Sequence, residues 1–245
     1  EEPGPGSLPQ PVSGYELATR LSYFLWSSPP DDALLAAARE NLTNDEVLRS
    51  ETRRMLRDNR SRRLATEFAA QWLHIYGFDQ LDEKSERHFP EFASLRGAMY
   101  EESLRFFTDL FQRDGSVLDI IAAEYTFLNE DLAKHYGVPN VSGPAWRRVE
   151  NVRGHGRGGI LTQASILAKQ AGASRTSGIL RGNWLSEVVL GEKLPKPPKN
   201  VPQLAENPPE GLTERQLIEK HSSDAACAKC HVRIDPFGFA LENFD

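Results

Sequence analysis

Apolar residues recur at helical spacing along most of this chain. Leu17, Leu21, Phe24 and Leu25 share one helical face, and Ser13 with Glu16 forms a capping box ahead of them. Pro29 and Pro30 close that stretch, and Asp31 or Asp32 can cap a short helix to about Glu40. Thr43 and Glu46 make a second capping box, opening a helix through Val47, Met55 and Leu56. Leu64, Phe68, Trp72 and Ile75 predict a helix from about Ser61 to Tyr76, with Gly77 at its end. A long helix is expected from about Pro90 to Arg113, through Phe92, Leu95, Met99, Leu104, Phe107, Leu110 and Phe111. Asn129 to Tyr136 reads as a short helix ended by Gly137 and Pro139.

The pattern changes near Gly143. Trp146 to Val152 is the best strand candidate, and a glycine cluster follows. Short helices are predicted from Ile160 to about Lys169 and from Ile179 to Leu190, around a small-residue loop at 171–178. Residues 195–209 hold six of the 16 prolines and predict an extended, polyproline-like segment. A further helix from Thr213 leads to the C-terminal region. The expected fold class is therefore mainly α. A linker over residues 1–13 precedes an all-helical domain over 14–150, and a mostly helical module with a Pro-rich extended segment spans 151–245.

Composition narrows the function. The 245 residues carry a net charge of −6, which argues against a general polyanion-binding surface but leaves room for a local basic patch. No apolar run approaches the ~20 residues that span a bilayer. The two cysteines exclude a disulfide-stapled scaffold, and their placement is informative. They are Cys227 and Cys230, with His231 next. Random placement gives that arrangement about two times in ten thousand. Cys-x-x-Cys-His is the attachment motif of haem c, in which both thiols hold the porphyrin edge and the histidine reaches the iron. Three other readings remain. A thioredoxin-like pair wants a preceding strand in a βαβ unit, a structural zinc site wants four ligands, and the spacing can arise by chance.

Haem c is attached outside the bacterial cytoplasm, which predicts a periplasmic or secreted protein. Residues 1–30 carry no signal peptide, and the chain stops 14 residues after His231. The expectation is a piece of a longer exported protein, its haem module truncated at the C-terminus.

A proximal histidine normally donates its second ring N–H to a carbonyl or carboxylate. A turn at Asp235 and Pro236 can supply that acceptor, and Phe237, Phe239, Leu241 and Phe244 can furnish apolar walls against water. Arg175 and Arg181 are candidates for the haem propionates. A sixth iron ligand is not evident. Met55 and Met99 lie on apolar helix faces and read as core. His221 is expected on the proximal side and exposed, while His74, His88, His135 and His155 are weaker candidates. Gly154 to Gly159 satisfies G-x-G-x-x-G, but without a βαβ unit it reads as a flexible loop joining two modules. No catalytic constellation emerges, and the Glu101-Glu102 pair reads as ordinary helix surface.

Several stretches carry a family resemblance. Tyr15 to Asp32, Tyr125 to Glu130 and Leu132 to Gly137 resemble the DUF 1592 family. Gly158 to Ser165, Arg175 to Ser177, Arg181 to Trp184 and Cys227 to Asp245 resemble the DUF 1588 family, a cytochrome-c-like unit. Together they cover nearly the whole chain, as in planctomycete-type multidomain cytochrome proteins. Gly178 departs from that pattern, where the family often has proline. The resemblance implies an exported protein with related domains on either side, and it supplies no reaction. The function expected is electron transfer through one covalent haem, with a redox partner protein or adjacent domains of the same chain as partners. No nucleic-acid partner is expected. Two alternatives are a five-coordinate haem enzyme acting on peroxide or a small substrate, and a scaffold whose haem is structural.

Overall fold

In the computed structural model, residues 11–195 and 211–244 are described. The expected linker lies mostly, and the Pro-rich segment almost wholly, outside them. The fold is mainly helical, as the periodicity predicts. The chain forms two compact units. The first comprises residues 1–70 and 104–119, the second 71–103 and 120–245.

In the first unit, α1 (Gly14–Trp26) opens on the expected capping box of Ser13 and Glu16. Asp31 caps α2 (Asp32–Glu40), accepting from the Leu34 N–H. The cap of α3 (Asp45–Arg57) is Asn44 rather than Thr43. Its side-chain oxygen accepts from the amides of Glu46 and Val47, and Asn is the stronger N-cap. An unbroken helical run follows, with α4 (Arg62–Leu64), a π-helical turn (Ala65–Ala69) and α5 (Ala70–Trp72). It stops short of the predicted Tyr76, because His74 turns left-handed at φ 62°. Leu25, Trp26, Leu34, Leu42 and Met55 form the core, which Phe111 of α6 (Phe92–Gln112) also joins. The Trp26 indole N–H donates to the Met55 carbonyl at 2.9 Å. Arg60 lies 3.5 Å over the Trp26 ring and, with Arg54, holds Asp31.

The second unit begins at Gln71, takes in a 3₁₀ turn (Phe78–Gln80) and the first part of α6, and continues through most of α7 (Asp119–Ala122) and β1 (Thr126–Leu128). Asn129, expected as the first helical residue, instead caps α8 (Glu130–Tyr136), and Gly137 closes it as predicted. Then β2 (Arg147–Val149) pairs antiparallel with β1, Thr126 opposite Val149. The predicted strand exists, but only its middle pairs, and residues 152–155 turn as a 3₁₀ helix.

The glycine loop is a docked element and not a flexible joint. A Cβ on Gly158 would lie 2.3 Å from the Ala123 carbonyl, and one on Gly159 2.3 Å from that of Ile121. Only glycine permits this approach. A 3₁₀ turn (Ile160–Thr162) then precedes α9 (Ala164–Lys169), so the predicted single helix breaks at Gln163. Ser177 caps α10 (Gly178–Trp184), which runs into a π-helical turn (Leu185–Val189). Two indole bonds tie this segment down: Trp184 donates to the Leu73 carbonyl and Trp72 to that of Val188. Last come α11 (Glu214–Ser222), with its Thr213–Gln216 capping box, and α12 (Ala225–Ala240).

Candidate functional site

Cys227, Cys230 and His231 all lie on α12. At three residues' spacing the two thiols share one helical face. Both are free and half-buried, and the Cys230 thiol points to the Pro195 carbonyl at 3.8 Å. His231 is buried, with 7% of its surface exposed. Its Nδ1 donates to Asp235 Oδ1 at 2.7 Å, one helical turn on. The carboxylate can only accept, so this bond fixes the tautomer and leaves Nε2 as the other ring nitrogen.

Two expectations need correction here. Asp235 and Pro236 form no turn; Pro236 sits inside α12. The acceptor is therefore the Asp235 side chain, brought under the imidazole by helical spacing. The carbonyl that loses its donor at Pro236 is that of Val232, a residue 71% exposed, so water can satisfy it. His221 is half-buried rather than exposed, and its ring meets that of His231 edge-on at 5.1 Å between centroids.

What seats α12 is close backbone contact with α10. A Cβ on Gly182 would lie 2.0 Å from the Ile234 carbonyl, and one on Gly238 2.2 Å from the Gly178 carbonyl. Gly178 itself has room, its nearest neighbour being the Ile218 side chain at 3.5 Å. Arg181 is buried between these glycines and donates to the Leu241 carbonyl at 2.8 Å, tying α10 to the chain just beyond α12. It serves the helix seat whatever else it does.

Arg175 is half-buried, with Nη1 lacking an acceptor among the described residues. The aromatic residues divide. Phe237 and Phe239 are half-buried, and Phe239 lies under Arg215. Leu241 is buried, and Phe244 reaches a separate cavity near Arg157. Met55 is core in the first unit, while Met99 and His135 line that same cavity. Among the described residues, no three His, Cys, Asp or Glu side chains converge as a metal-binding group, so the zinc reading finds no ligand set.

One acid is buried where its sequence position predicts helix surface. Glu102 was expected on the surface but is 1% exposed. Thr126 and the Tyr136 hydroxyl each donate to its carboxyl at 2.5 Å, and that hydroxyl accepts from the Ala164 N–H. Burial outweighs these bonds and pushes the Glu102 pKa up to about 7. A signal existed: Leu95, Met99, Glu102 and Phe106 fall at i, i+4, i+7 and i+11, on the apolar face of α6.

A c-type haem can be tested against these residues. Two accessible thiols on one helical face and an adjoining imidazole with its second nitrogen already engaged form the donor set that such a group needs. The residues fit.

Comparison with known families agrees with the sequence resemblance. Residues 12–138 match the family model PSD4, described as protein of unknown function (DUF1592). Residues 157–245 match PSCyt3, described as protein of unknown function (DUF1588). No curated protein and no solved structure matches the chain. The first match spans more than half of the chain, which therefore belongs to the DUF1592 family, followed by a DUF1588 module of the planctomycete cytochrome type.

Proposed function

We propose that this chain is a c-type cytochrome module for electron transfer, carrying one covalent haem and working outside the cytoplasm. The observation that carries the reading is the arrangement on α12, two thiols one turn apart followed by a buried histidine already oriented by a carboxylate. The cytochrome-type name of the second family model supports it. Cys227 and Cys230 would hold the group by thioether bonds, and His231 would offer Nε2 to the iron. When bound, haem supplies a one-electron couple between ferric and ferrous iron. Asp235 acts through His231, holding the ring and fixing its tautomer. The glycine contacts with α10 limit movement of α12 and hence of the ligand side chains. The partner would be a redox protein or an adjacent domain of the same chain.

One observation favours a second reading, a five-coordinate haem that reacts with peroxide. The acceptor on His231 is a carboxylate, which transfers more negative charge to the ring than a backbone carbonyl does. A more basic proximal ligand stabilises ferric and higher iron states.

The two readings separate in one experiment on chain exported with haem-c maturation machinery. Electron transfer predicts a reversible one-electron potentiometric titration and no carbon monoxide shift in the reduced spectrum. A carbon monoxide shift supports the peroxide-reactive reading instead. Asp235→Asn should move the midpoint to more positive values with covalent haem retained. A covalent haem in the Cys227→Ala/Cys230→Ala double variant would contradict the assignment of the thiols.

A further inference from the structure

We propose that the second unit binds a small carboxylate with an apolar body, in a cavity separate from the cysteine motif. The cavity lies wholly within that unit and measures about 320 Å³, a size usual for small-molecule sites. Its walls are mainly apolar, with Leu95 and Met99 from α6, Leu167 and Ala168 from α9, and Phe244. Neither Cys227, Cys230 nor His231 lines it, although Arg181 and Phe244, two of the residues put forward for the haem surroundings, do.

The charge of the lining selects the ligand. Lys84, Arg157 and Arg181 contribute cations against the single carboxylate of Glu91, in a chain whose net charge is −6. Two of the cations have structural duties. Lys84 donates to the carbonyls of Ala171 and Gly172, and Arg181 to that of Leu241. Arg157 is different. Its guanidinium stacks 3.8 Å over the Tyr136 ring, and Nη1 donates to the Thr162 carbonyl. Among the described residues its buried Nε has no acceptor and the side chain has no ion-pair partner. The carboxyl of Glu102 accepts from Thr126 and Tyr136 and makes no ion pair with Arg157 among the described residues.

A half-buried guanidinium with no carboxylate is a costly arrangement unless an anion completes it. A bound carboxylate would supply charge-assisted hydrogen bonds to Arg157, while its apolar body would displace water from Met99, Leu167 and Phe244. Aromatic and branched aliphatic monocarboxylates have this chemistry; neutral apolar molecules have only half of it.

The test is calorimetric titration of the full chain with 2-naphthoate and with its neutral counterpart 2-naphthalenemethanol. Saturable one-to-one binding of the carboxylate is expected, at least about tenfold tighter than the alcohol. Arg157→Gln should erase that preference. Ala168→Phe fills the cavity from a half-buried wall position and should abolish binding of both, with the thermal midpoint within a few degrees of wild type. Absence of saturable naphthoate binding, or equal affinity for acid and alcohol in the unaltered protein, overturns the proposal without recourse to any variant. Its failure would leave the cysteine motif untouched, since the haem is read by its own absorption.

Discussion

The core around Trp26 and the seat of α12 solve the same problem with opposite materials. Around Trp26, large side chains interlock: Leu25, Leu34, Leu42 and Met55 enclose an indole that is 1% exposed, and Arg60 stacks on it. At α12, side chains are withheld. Gly182 and Gly238 let backbone meet backbone, and the polar groups of Arg181 and Asp235 do the fixing. The first kind of packing tolerates a methylene more or less through rearrangement. The second has no slack on the contact side, because what lies opposite is a carbonyl oxygen and not a flexible side chain.

The largest effect should come from deleting the indole. Trp26→Ala removes the centre of the first core and the bond to the Met55 carbonyl, and should cost about 3–5 kcal/mol in urea unfolding. Next, Gly182→Ala places a methyl 2.0 Å from the Ile234 carbonyl and should cost about 2–3 kcal/mol. Gly178→Ala, only one turn away on α10, meets nothing nearer than 3.5 Å and should stay within about 0.5 kcal/mol of wild type. Equal losses from the two glycine variants would break the contrast drawn between backbone and side-chain seating.

Smaller effects are readable through pH. Glu102 has a folded pKa raised from 4.5 to about 7 by burial. The folded state therefore holds its proton more tightly than the unfolded chain. Its contribution is fully present below pH 4.5 and is lost as pH rises to about 7. Glu102→Gln should flatten that slope in unfolding midpoints measured across the interval. Asp31 behaves in the opposite sense. Its bonds from Arg54, the Leu34 amide and Arg60 lower its pKa from 3.8 to about 2, so its contribution is present above 3.8 and lost as pH falls through about 2. The pair is partly solvated, which screens it, and Asp31→Asn should cost about 1 kcal/mol or less at neutral pH.

These contrasts also mark what could be read before the structure. Side-chain packing announces itself by periodicity, so α1, α2, α8 and the long α6 were legible, with the N-caps of α1 and α2. Backbone packing leaves no apolar pattern. Gly158 and Gly159 looked like a loose joint because a glycine that enables contact and one that enables motion are the same letter. Pro236 looked like a turn because proline usually ends helices, and only the exposed position of Val232 shows why the helix continues. The three-residue strand β1 is too short for alternation to register.

At the site, the cysteine spacing and the partnership of His231 with Asp235 followed from local sequence, since both are contacts within one or two helical turns. The cavity around Arg157 did not. Its residues come from α6, α9 and the chain between and beyond them, and only the tertiary fold brings them together.

The central claim rests on Cys227 and Cys230, and one measurement reaches it directly. The chain is exported with haem-c maturation machinery, purified, stripped of loose haem by acid and organic solvent, and assayed as its alkaline pyridine haemochrome. The account predicts about one covalent haem per chain, with the band position of two thioether links. Folded, exported protein with no covalent haem would contradict it.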